Sequence, residues 1–293
     1  MRVTDIWASG GKPTISFELL PARSIKAAEN LNKAIDKLAA MNPDFVSVTF
    51  GAGGSTREGS RQLIEKLKNE NDLEVVAYFA GYGLGPDDIS AVLDSYKALG
   101  IETILVVRGD PPHDQEGFEP HPQSLPYASD MVEFIRSRYD FCIGVAGYPE
   151  GHIEAESREK DLEYLKLKVD KGAEYIICNY YYDNRYFFDF IERCETAGID
   201  VPILAGVMPI YSTRMLEKLA GLCGATITNE VRGGIAALPE DDKEALVDFG
   251  IDFATRQCEG LLKAGVPGLH IYTMNRSVSA VGIVERLRKT GLV

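Results

Sequence analysis

The stretch ETILVVR at residues 102–108 decides the fold class. It is a short, continuous apolar run rich in β-branched residues. A continuous run, rather than an alternating one, is typical of a strand in a parallel sheet that is buried on both faces. Seven similar runs occur along the chain: TISFE (14–18), FVSVTF (45–50), EVVAYFA (74–80), FCIGVAG (141–147), YIICNYY (175–181), VPILAGV (201–207) and GLHIYT (268–273).

Amphipathic stretches separate these runs and are predicted to be helices. They are Ser24 to Met41, Arg57 to Leu67, Pro86 to Leu99, Tyr127 to Ser137, Ser157 to Lys171, Asn184 to Ala197, 240–264 and Ser277 to Thr290. The third begins with Pro86, Asp87 and Asp88. Proline suits the first turn of a helix, and carboxylates suit its positive end.

Eight evenly spaced strand and helix units predict an α/β fold, a (β/α)8 TIM barrel, with residues 1–293 as a single domain. A doubly wound open sheet is the alternative. No GxGxxG follows the first predicted strand, and the sequence has no GxxxxGK[ST] phosphate loop. Both absences favour the closed barrel.

Composition excludes several functional classes. The chain has 31 Lys and Arg against 44 Asp and Glu, a net charge of −13, so nucleic-acid binding is not expected. No run of about 18 apolar residues predicts a membrane span, and MRVTDIWASGGKPT lacks the apolar region of a signal peptide. An odd number of scattered cysteines without CxxC predicts a reduced, cytoplasmic protein with cysteines buried as small apolar residues. They are Cys142, Cys178, Cys194, Cys223 and Cys258.

The active site of such a barrel lies where the strands end. Glu18 ends the first run, and Asp110 follows the fourth. A carboxyl group within ISFELLP is expected to be desolvated, with a pKa raised toward that of a useful general acid; a salt bridge to Arg23 is the alternative. For Asp110 the alternative is a loop ion pair or a helix cap, and tyrosines 180–182 are expected to pack. No cluster of His and Cys suggests a metal site.

Several segments of the chain resemble methylenetetrahydrofolate reductases of the short bacterial type. They are FELLPAR (17–23), FVSVTFGAGGS (45–55), VRGDPP (107–112), YASD (127–130), VAGYPEGHIEA (145–155), LKLKVDKGAEYIICNYYYD (165–183) and VPGLHIYTMNR (266–276). They occur in the family's order and span nearly the whole chain. The family fold is a (β/α)8 barrel, in agreement with the strand count.

The resemblance implies a flavoenzyme that uses FAD to pass a hydride from NADH or NADPH to 5,10-methylenetetrahydrofolate, giving 5-methyltetrahydrofolate. Glu18 would be the acid, and Asp110 would lie between flavin and pterin. Substrate-binding residues would be Asp110, Asn179, Tyr272 and Arg276. Flavin contacts would be Thr49, Phe50, Ala52, Arg108, Gly109, Asp110, Ala128, Tyr148, His152, Asp161 and Lys168. A homo-oligomer is expected, because family members are often oligomeric.

The chain departs from the family pattern at four positions. Tyr78 stands where a flavin-contacting histidine is usual, Tyr164 and Leu167 replace Asn and Arg, and Asn179 replaces a glutamine. Three hypotheses fit: FAD with altered contacts, FMN in its place, or flavin-free direct hydride transfer. From another class, the chain could be a folate-binding subunit that works with a partner electron-donor protein. A pterin-dependent methyltransferase would need a methyl-acceptor site, such as a zinc thiolate cluster, that the sequence lacks.

Overall fold

The structure is a computed structural model that describes residues 1–50, 54–111 and 117–293. The elements in chain order are α1 (Val3–Ala8), β1 (Thr14–Leu19), α2 (Ile25–Ala39), β2 (Phe45–Val48), α3 (Gly54–Asn71), β3 (Val75–Ala80), α4 (Pro86–Ala98), β4 (Thr103–Val107), α5 (Ala128–Arg136), β5 (Cys142–Gly147), α6 (Arg158–Asp170), β6 (Tyr175–Cys178), α7 (Asn184–Thr196), β7 (Ile203–Val207), α8 (Thr213–Cys223), α9 (Asn229–Ala236), α10 (Lys243–Lys263), β8 (Gly268–Tyr272) and α11 (Ser277–Thr290).

The eight strands form a closed parallel barrel in chain order, with β8 paired to β1. This confirms the predicted (β/α)8 barrel. Every residue of β1, β2, β6 and β7 is buried, which explains why the runs are continuous rather than alternating. In register, Glu18 lies opposite Ser47 of β2 and Tyr272 of β8.

The helices differ from prediction in three places. Helix α1 was not expected, because its six residues are too few to show a periodic pattern. Helices α8 and α9 follow β7 and were also not predicted. Both are short, and α8 ends at Gly224 with a left-handed φ of 75°. Helix α4 begins as expected, with Pro86 in its first turn and Asp87 and Asp88 beside it.

Helix α1 covers the barrel at the amino ends of the strands. Val3 is fully buried against the interior layer, and its backbone N–H donates to Thr103 Oγ1 at 3.2 Å. Trp7 donates from its indole nitrogen to Thr14 Oγ1 at 3.1 Å and lies 5.7 Å from the Tyr175 ring. The candidate site is therefore confined to the opposite end of the barrel.

Two expectations from the composition can be compared with the described residues. No helix among them is long and apolar enough to cross a membrane. All five cysteines are unbridged; Cys223 is partly exposed, and the other four are buried, as expected for small apolar residues. Among the described residues, no group of three or more His, Cys, Asp or Glu side chains is arranged to hold a metal.

Candidate active site

Glu18 is a buried carboxyl group at the end of β1, with 7% of the residue exposed. Burial raises its pKa to about 7, and a hydrogen bond with the Tyr78 hydroxyl opposes part of that rise. The alternative salt bridge to Arg23 does not form: within the described part of the chain Glu18 has no ion pair. A carboxyl group in this state is protonated for a large fraction of the time at neutral pH.

The segment after β8 holds the end of β1 in place. Thr273 donates from Oγ1 to the Glu18 carbonyl oxygen at 2.6 Å. The Asn275 side chain accepts from the Leu20 N–H at 2.9 Å and donates to the Leu20 carbonyl at 2.8 Å. Asn275 has a left-handed φ of 57°, a conformation that asparagine tolerates better than most residues. These bonds restrict where the Glu18 side chain can lie.

Tyrosines surround the carboxyl group. Tyr272 crosses the barrel mouth and donates to the Cys178 carbonyl of β6 at 2.9 Å. Tyr211 donates to the Tyr272 carbonyl at 3.0 Å, and Tyr180 donates to the Leu219 carbonyl at 2.9 Å. Burial raises the pKa of each of these hydroxyls, so they stay neutral. Tyrosines 180–182 are all buried and pack as expected.

The rim after β4 and β5 is polar and open. Arg108 pairs with Glu154 at 2.7 Å and with Asp110 at 3.6 Å, and the Asp110 side chain is 77% exposed. The loop ion pair considered for Asp110 therefore forms. Gly109 between them has φ of 81°, and an added Cβ would lie 3.0 Å from Ala80 Cβ. Only glycine satisfies both the backbone angle and the close approach.

The turn after β5 and helix α6 carry four predicted cofactor residues. His152 accepts the Glu154 N–H on Nδ1 at 3.1 Å, and its ring lies edge-on to Tyr148 at 4.6 Å. Lys168 donates to the Ala146 carbonyl at 2.9 Å, and desolvation of its amino group lowers its pKa to about 8. Burial raises the pKa of Asp161, which faces that ammonium group. The predicted shared face of Asp161 and Lys168 is observed.

A small cavity joins the ends of β2, β3 and β4. Its volume is about 40 Å³, and it is lined by Phe50, Arg57, Ala80, Tyr82, Gly109, Asp110 and Phe118. The buried Nε of Arg57 has no hydrogen-bond partner within the described chain, although its guanidinium lies 5.7 Å from the Phe50 ring. An unpaired cationic donor suits an anionic or carbonyl-rich ligand.

The remaining predicted site residues are spread around the rim. Asn179 turns back, and its Oδ1 accepts the Tyr180 N–H at 2.9 Å. Arg276 is exposed, with its guanidinium 5.6 Å from the Tyr211 ring. Thr49 donates from its backbone nitrogen to the Leu19 carbonyl at 3.0 Å, and Ala128 begins α5. Ala52 lies outside the described residues.

Three features of the site were missed from the sequence. Glu154 lies within GYPEGHIEA, but nothing in that segment indicates that it pairs with Arg108. Asn275 could have been found, since asparagine before a helix start often adopts left-handed φ. Arg57 was assigned only to the start of a helix, which the structure begins at Gly54.

The fold and the rim define an α/β-barrel protein with a buried carboxyl group where the strands end. The family model for methylenetetrahydrofolate reductase matches residues 2–288, and the chain belongs to that family. It is 33% identical over 277 residues to the 5,10-methylenetetrahydrofolate reductase of Escherichia coli, covering 94% of this chain and 91% of that protein.

The other similarities differ in length or in closeness. The methylenetetrahydrofolate reductase (NADH) 1 of Arabidopsis thaliana is 36% identical over 288 residues, covering 94% of this chain but 48% of that protein. The chain thus spans about half the length of the plant relatives it matches. A solved Clostridium thermocellum protein that binds two copies of 5-methyl-5,6,7,8-tetrahydrofolic acid has a TM-score of 0.64 at 18% identity, with 98% of each chain covered. That likeness shows the fold.

Proposed function

We propose that this chain reduces 5,10-methylenetetrahydrofolate to 5-methyltetrahydrofolate at the carboxyl end of the barrel, with NADH or NADPH as the source of the hydride. The observation that carries the proposal is Glu18, a buried carboxyl group with a pKa of about 7 where the strands end. Family membership supplies the substrate class. The 5,10-methylenetetrahydrofolate reductase of E. coli, 91% of which this chain covers, supports the same activity.

Glu18 is proposed as the general acid. Opening the five-membered ring of the folate leaves a nitrogen that must take up a proton, and the product of that step is a cationic iminium. A general acid works best when its pKa lies near the operating pH, because it then holds a proton and also releases it. Burial brings the pKa of Glu18 into that range, while the bonds from Thr273 and Asn275 keep its backbone in place.

Asp110 is proposed to stabilise the positive charge that this step creates. Its carboxylate lies at the open rim, held near Arg108. A fixed negative charge beside a developing cation lowers the barrier to its formation. Arg108 also pairs with Glu154, so Asp110 is not fully neutralised by its neighbour.

FAD is the proposed cofactor and, when bound, would carry the hydride between the nicotinamide and the folate. Arg57, Arg108, His152 and Lys168 would hold its phosphates and ring edge, with Asp161 orienting Lys168. Thr49, Phe50, Gly109, Ala128 and Tyr148 would line the rest of its site, with Ala52 outside the described residues. Asn179, Tyr272 and Arg276 would face the folate, and the exposed guanidinium of Arg276 suits its carboxylated tail.

Flavin-free hydride transfer is the second candidate. Two positions that match flavin contacts of the family carry exposed side chains without the usual amide or guanidinium group, Tyr164 at 47% and Leu167 at 42%. A third, Tyr78, is hydrogen-bonded to Glu18. FMN in place of FAD is a further variant of the same proposal. The chain is also proposed to act in the cytoplasm as a homo-oligomer, without nucleic acid or membrane, which sedimentation and cell fractionation would test.

The deciding experiment is an absorption spectrum of the native protein and of the supernatant after heat denaturation, followed by an NADH oxidation assay with methylenetetrahydrofolate. Bands near about 380 and 450 nm with released FAD support the flavoenzyme. A colourless but active protein means direct hydride transfer. A colourless protein that stays inactive with added FAD contradicts the proposal and indicates a separate electron-donor subunit.

A further inference from the structure

A buried polar group lies beneath the proposed acid and takes no part in the mechanism above. His270 of β8 is fully buried, with its ring stacked 6.2 Å from Phe45. Its Nδ1 lies 2.8 Å from Ser16 Oγ and its Nε2 lies 3.2 Å from Ser47 Oγ. Burial lowers the pKa of His270 to about 3, so the ring is neutral and carries one hydrogen.

The hydrogen bonds around His270 have a single consistent direction. The Leu269 carbonyl, 3.0 Å from Ser16 Oγ, can only accept, so the one hydroxyl hydrogen of Ser16 is assigned to it, and Ser16 then accepts from Nδ1–H. The hydrogen of the neutral ring is then on Nδ1, and Nε2 is an acceptor. Ser47 therefore donates to Nε2, and its oxygen is left to accept a hydrogen bond from another group.

That other group is Tyr78. Ser47 lies opposite Glu18 in the β1–β2 register, and Val76 of β3 lies opposite Ser47. Tyr78 is two residues beyond Val76 on the same strand face, which places its hydroxyl on the side of Glu18 and Ser47, and the charge of Glu18 contributes to the raised pKa of that hydroxyl. Side chains from three adjacent strands and β8 thus meet in one layer of the barrel interior.

We propose that Glu18, Tyr78, Ser47, His270 and Ser16 form one oriented hydrogen-bond chain that holds the acidic proton of Glu18 toward Tyr78 until substrate arrives. With Glu18 protonated, each member donates to the next and the last donates to the Leu269 carbonyl. Every hydroxyl and ring N–H then has an acceptor, which matters because unpaired polar groups are costly inside a barrel. Tyr78 and His270 are positioning residues that act through Glu18.

The hydrogen-bond chain also accommodates the ionised state of Glu18. When Glu18 passes its proton to the folate nitrogen, the O–H bond of the carboxyl breaks and an N–H bond forms on the substrate. Tyr78 can then rotate its hydrogen from Ser47 to the new carboxylate. The titratable groups that face Glu18 within the described chain are tyrosines: Tyr78 from β3, Tyr272 from β8, Tyr180 after β6 and Tyr211 after β7. All stay neutral, so Tyr78 is the donor that responds.

The first test is the tautomer of His270, measured by nitrogen-15 NMR of histidine-labelled protein. The chain has 4 histidines. A triple variant, H113Q/H121Q/H152Q, leaves His270 as the sole histidine signal. We expect a neutral ring protonated on Nδ1 at every pH from about 5 to 9. A ring protonated on Nε2, or one that titrates in this interval, overturns the proposed direction of the chain.

The second test compares Tyr78→Phe with Tyr175→Phe. Tyr175 is also a buried barrel tyrosine, but its hydroxyl donates to the Ile104 carbonyl at 3.0 Å and belongs to no chain. Carbon-13 NMR of glutamate-labelled protein, assigned with Glu18→Gln, reports the Glu18 titration. Loss of the Tyr78 donor should move its midpoint upward by about 1 pH unit, a tenfold change in protonation, while Tyr175→Phe leaves it in place. An unmoved midpoint in folded Tyr78→Phe overturns the proposal.

The inference rests on the proposed function only in assuming that Glu18 delivers its proton to the folate. Both NMR measurements are made on the resting protein without substrate, so they can succeed even where Glu18→Gln retains full folate reduction. Such a result would reject the role of Glu18 as the acid and would still support the hydrogen-bond chain. In the active enzyme, the high-pH limb of folate reduction should shift upward with Tyr78→Phe by the same interval as the Glu18 midpoint. A high-pH limb that does not shift would show that the hydrogen-bond chain has no effect on catalysis.

Discussion

The two sides of the barrel mouth are built differently. On the β1 and β8 side, Glu18 is buried and Thr273 and Asn275 bind the strand end with three short hydrogen bonds. On the β4 and β5 side, Arg108 and Glu154 form an ion pair whose members are 33% and 56% exposed. Buried hydrogen bonds cost more to break than exposed ion pairs, which water and salt screen.

This contrast indicates which side of the barrel mouth is already organised before any ligand binds. On the buried side, the acidic group Glu18 and the hydrogen bonds that orient its proton are already in place, and few groups there can move. The open side has charges that hold one another loosely and can exchange partners with an arriving phosphate or pterin. Substitutions on the buried side should therefore have large effects, and those on the open side small ones.

The largest effect is expected for Glu18→Gln. The amide has nearly the same shape but no transferable proton, so folate reduction should fall by about 100-fold or more. Flavin reduction by NADH and cofactor binding should remain, because Glu18 lies on the buried side. Stopped-flow measurement of the two half-reactions separates them. Folate reduction within about tenfold of the parent protein would reject the acid role.

Stability should respond to pH through the same residue. The pKa of Glu18 is raised from 4.5 to about 7 on folding, so the folded state binds the proton more tightly than the unfolded state. Its contribution is fully present below about pH 4.5 and is lost as pH rises through 7, at a cost of about 3 kcal/mol by pH 8. Urea unfolding followed by circular dichroism should show that the free energy of unfolding of Glu18→Gln rises by that amount relative to the parent protein between pH 4.5 and 8. Parallel pH curves would contradict a buried, neutral Glu18.

Asn275→Ala should destabilise the seam between β1 and β8 by about 2 kcal/mol or more. The variant leaves the Leu20 N–H and carbonyl without their partners and places alanine at a left-handed φ. Asn42→Ala is the matched control, because Asn42 is exposed and has a φ of 43°. Equal losses in the two variants, measured by thermal unfolding, would assign the effect to backbone conformation alone.

Asp110→Asn should lower folate reduction by about tenfold and change flavin reduction less. The substitution removes the negative charge beside the cationic intermediate while keeping the side-chain volume. Single-turnover rates for each half-reaction give the ratio. A larger loss in flavin reduction than in folate reduction would count against the electrostatic role.

Glu154→Gln should have the smallest effect on the free energy of unfolding, well below that of Asn275→Ala, because the Glu154 carboxylate in its pair with Arg108 is exposed to solvent. Adding about 0.5 M salt should reduce even that difference. A loss comparable to that of Asn275→Ala would erase the contrast between the two sides of the mouth.

The sequence predicted the strands well because a strand that is buried on both faces has a continuous apolar run, such as ETILVVR, that is easy to recognise. It also placed Glu18 at a strand end, and hence at the mouth. It could not predict that Tyr78 lies beside Glu18, because that depends on register between strands far apart in the chain. Nor could it predict the pairing of Arg108 with Glu154, which depends on how two loops approach each other.

Trp7, the one tryptophan of the chain, lies under the barrel floor against Tyr175 and Thr14. Its fluorescence therefore reports whether the floor is closed, and a ligand at the mouth should leave its emission wavelength unchanged. The molecule thus has a fluorescent reporter of the folded barrel at one end and its candidate active site at the other. Loss of substrate binding and loss of the barrel can be told apart in a single cuvette.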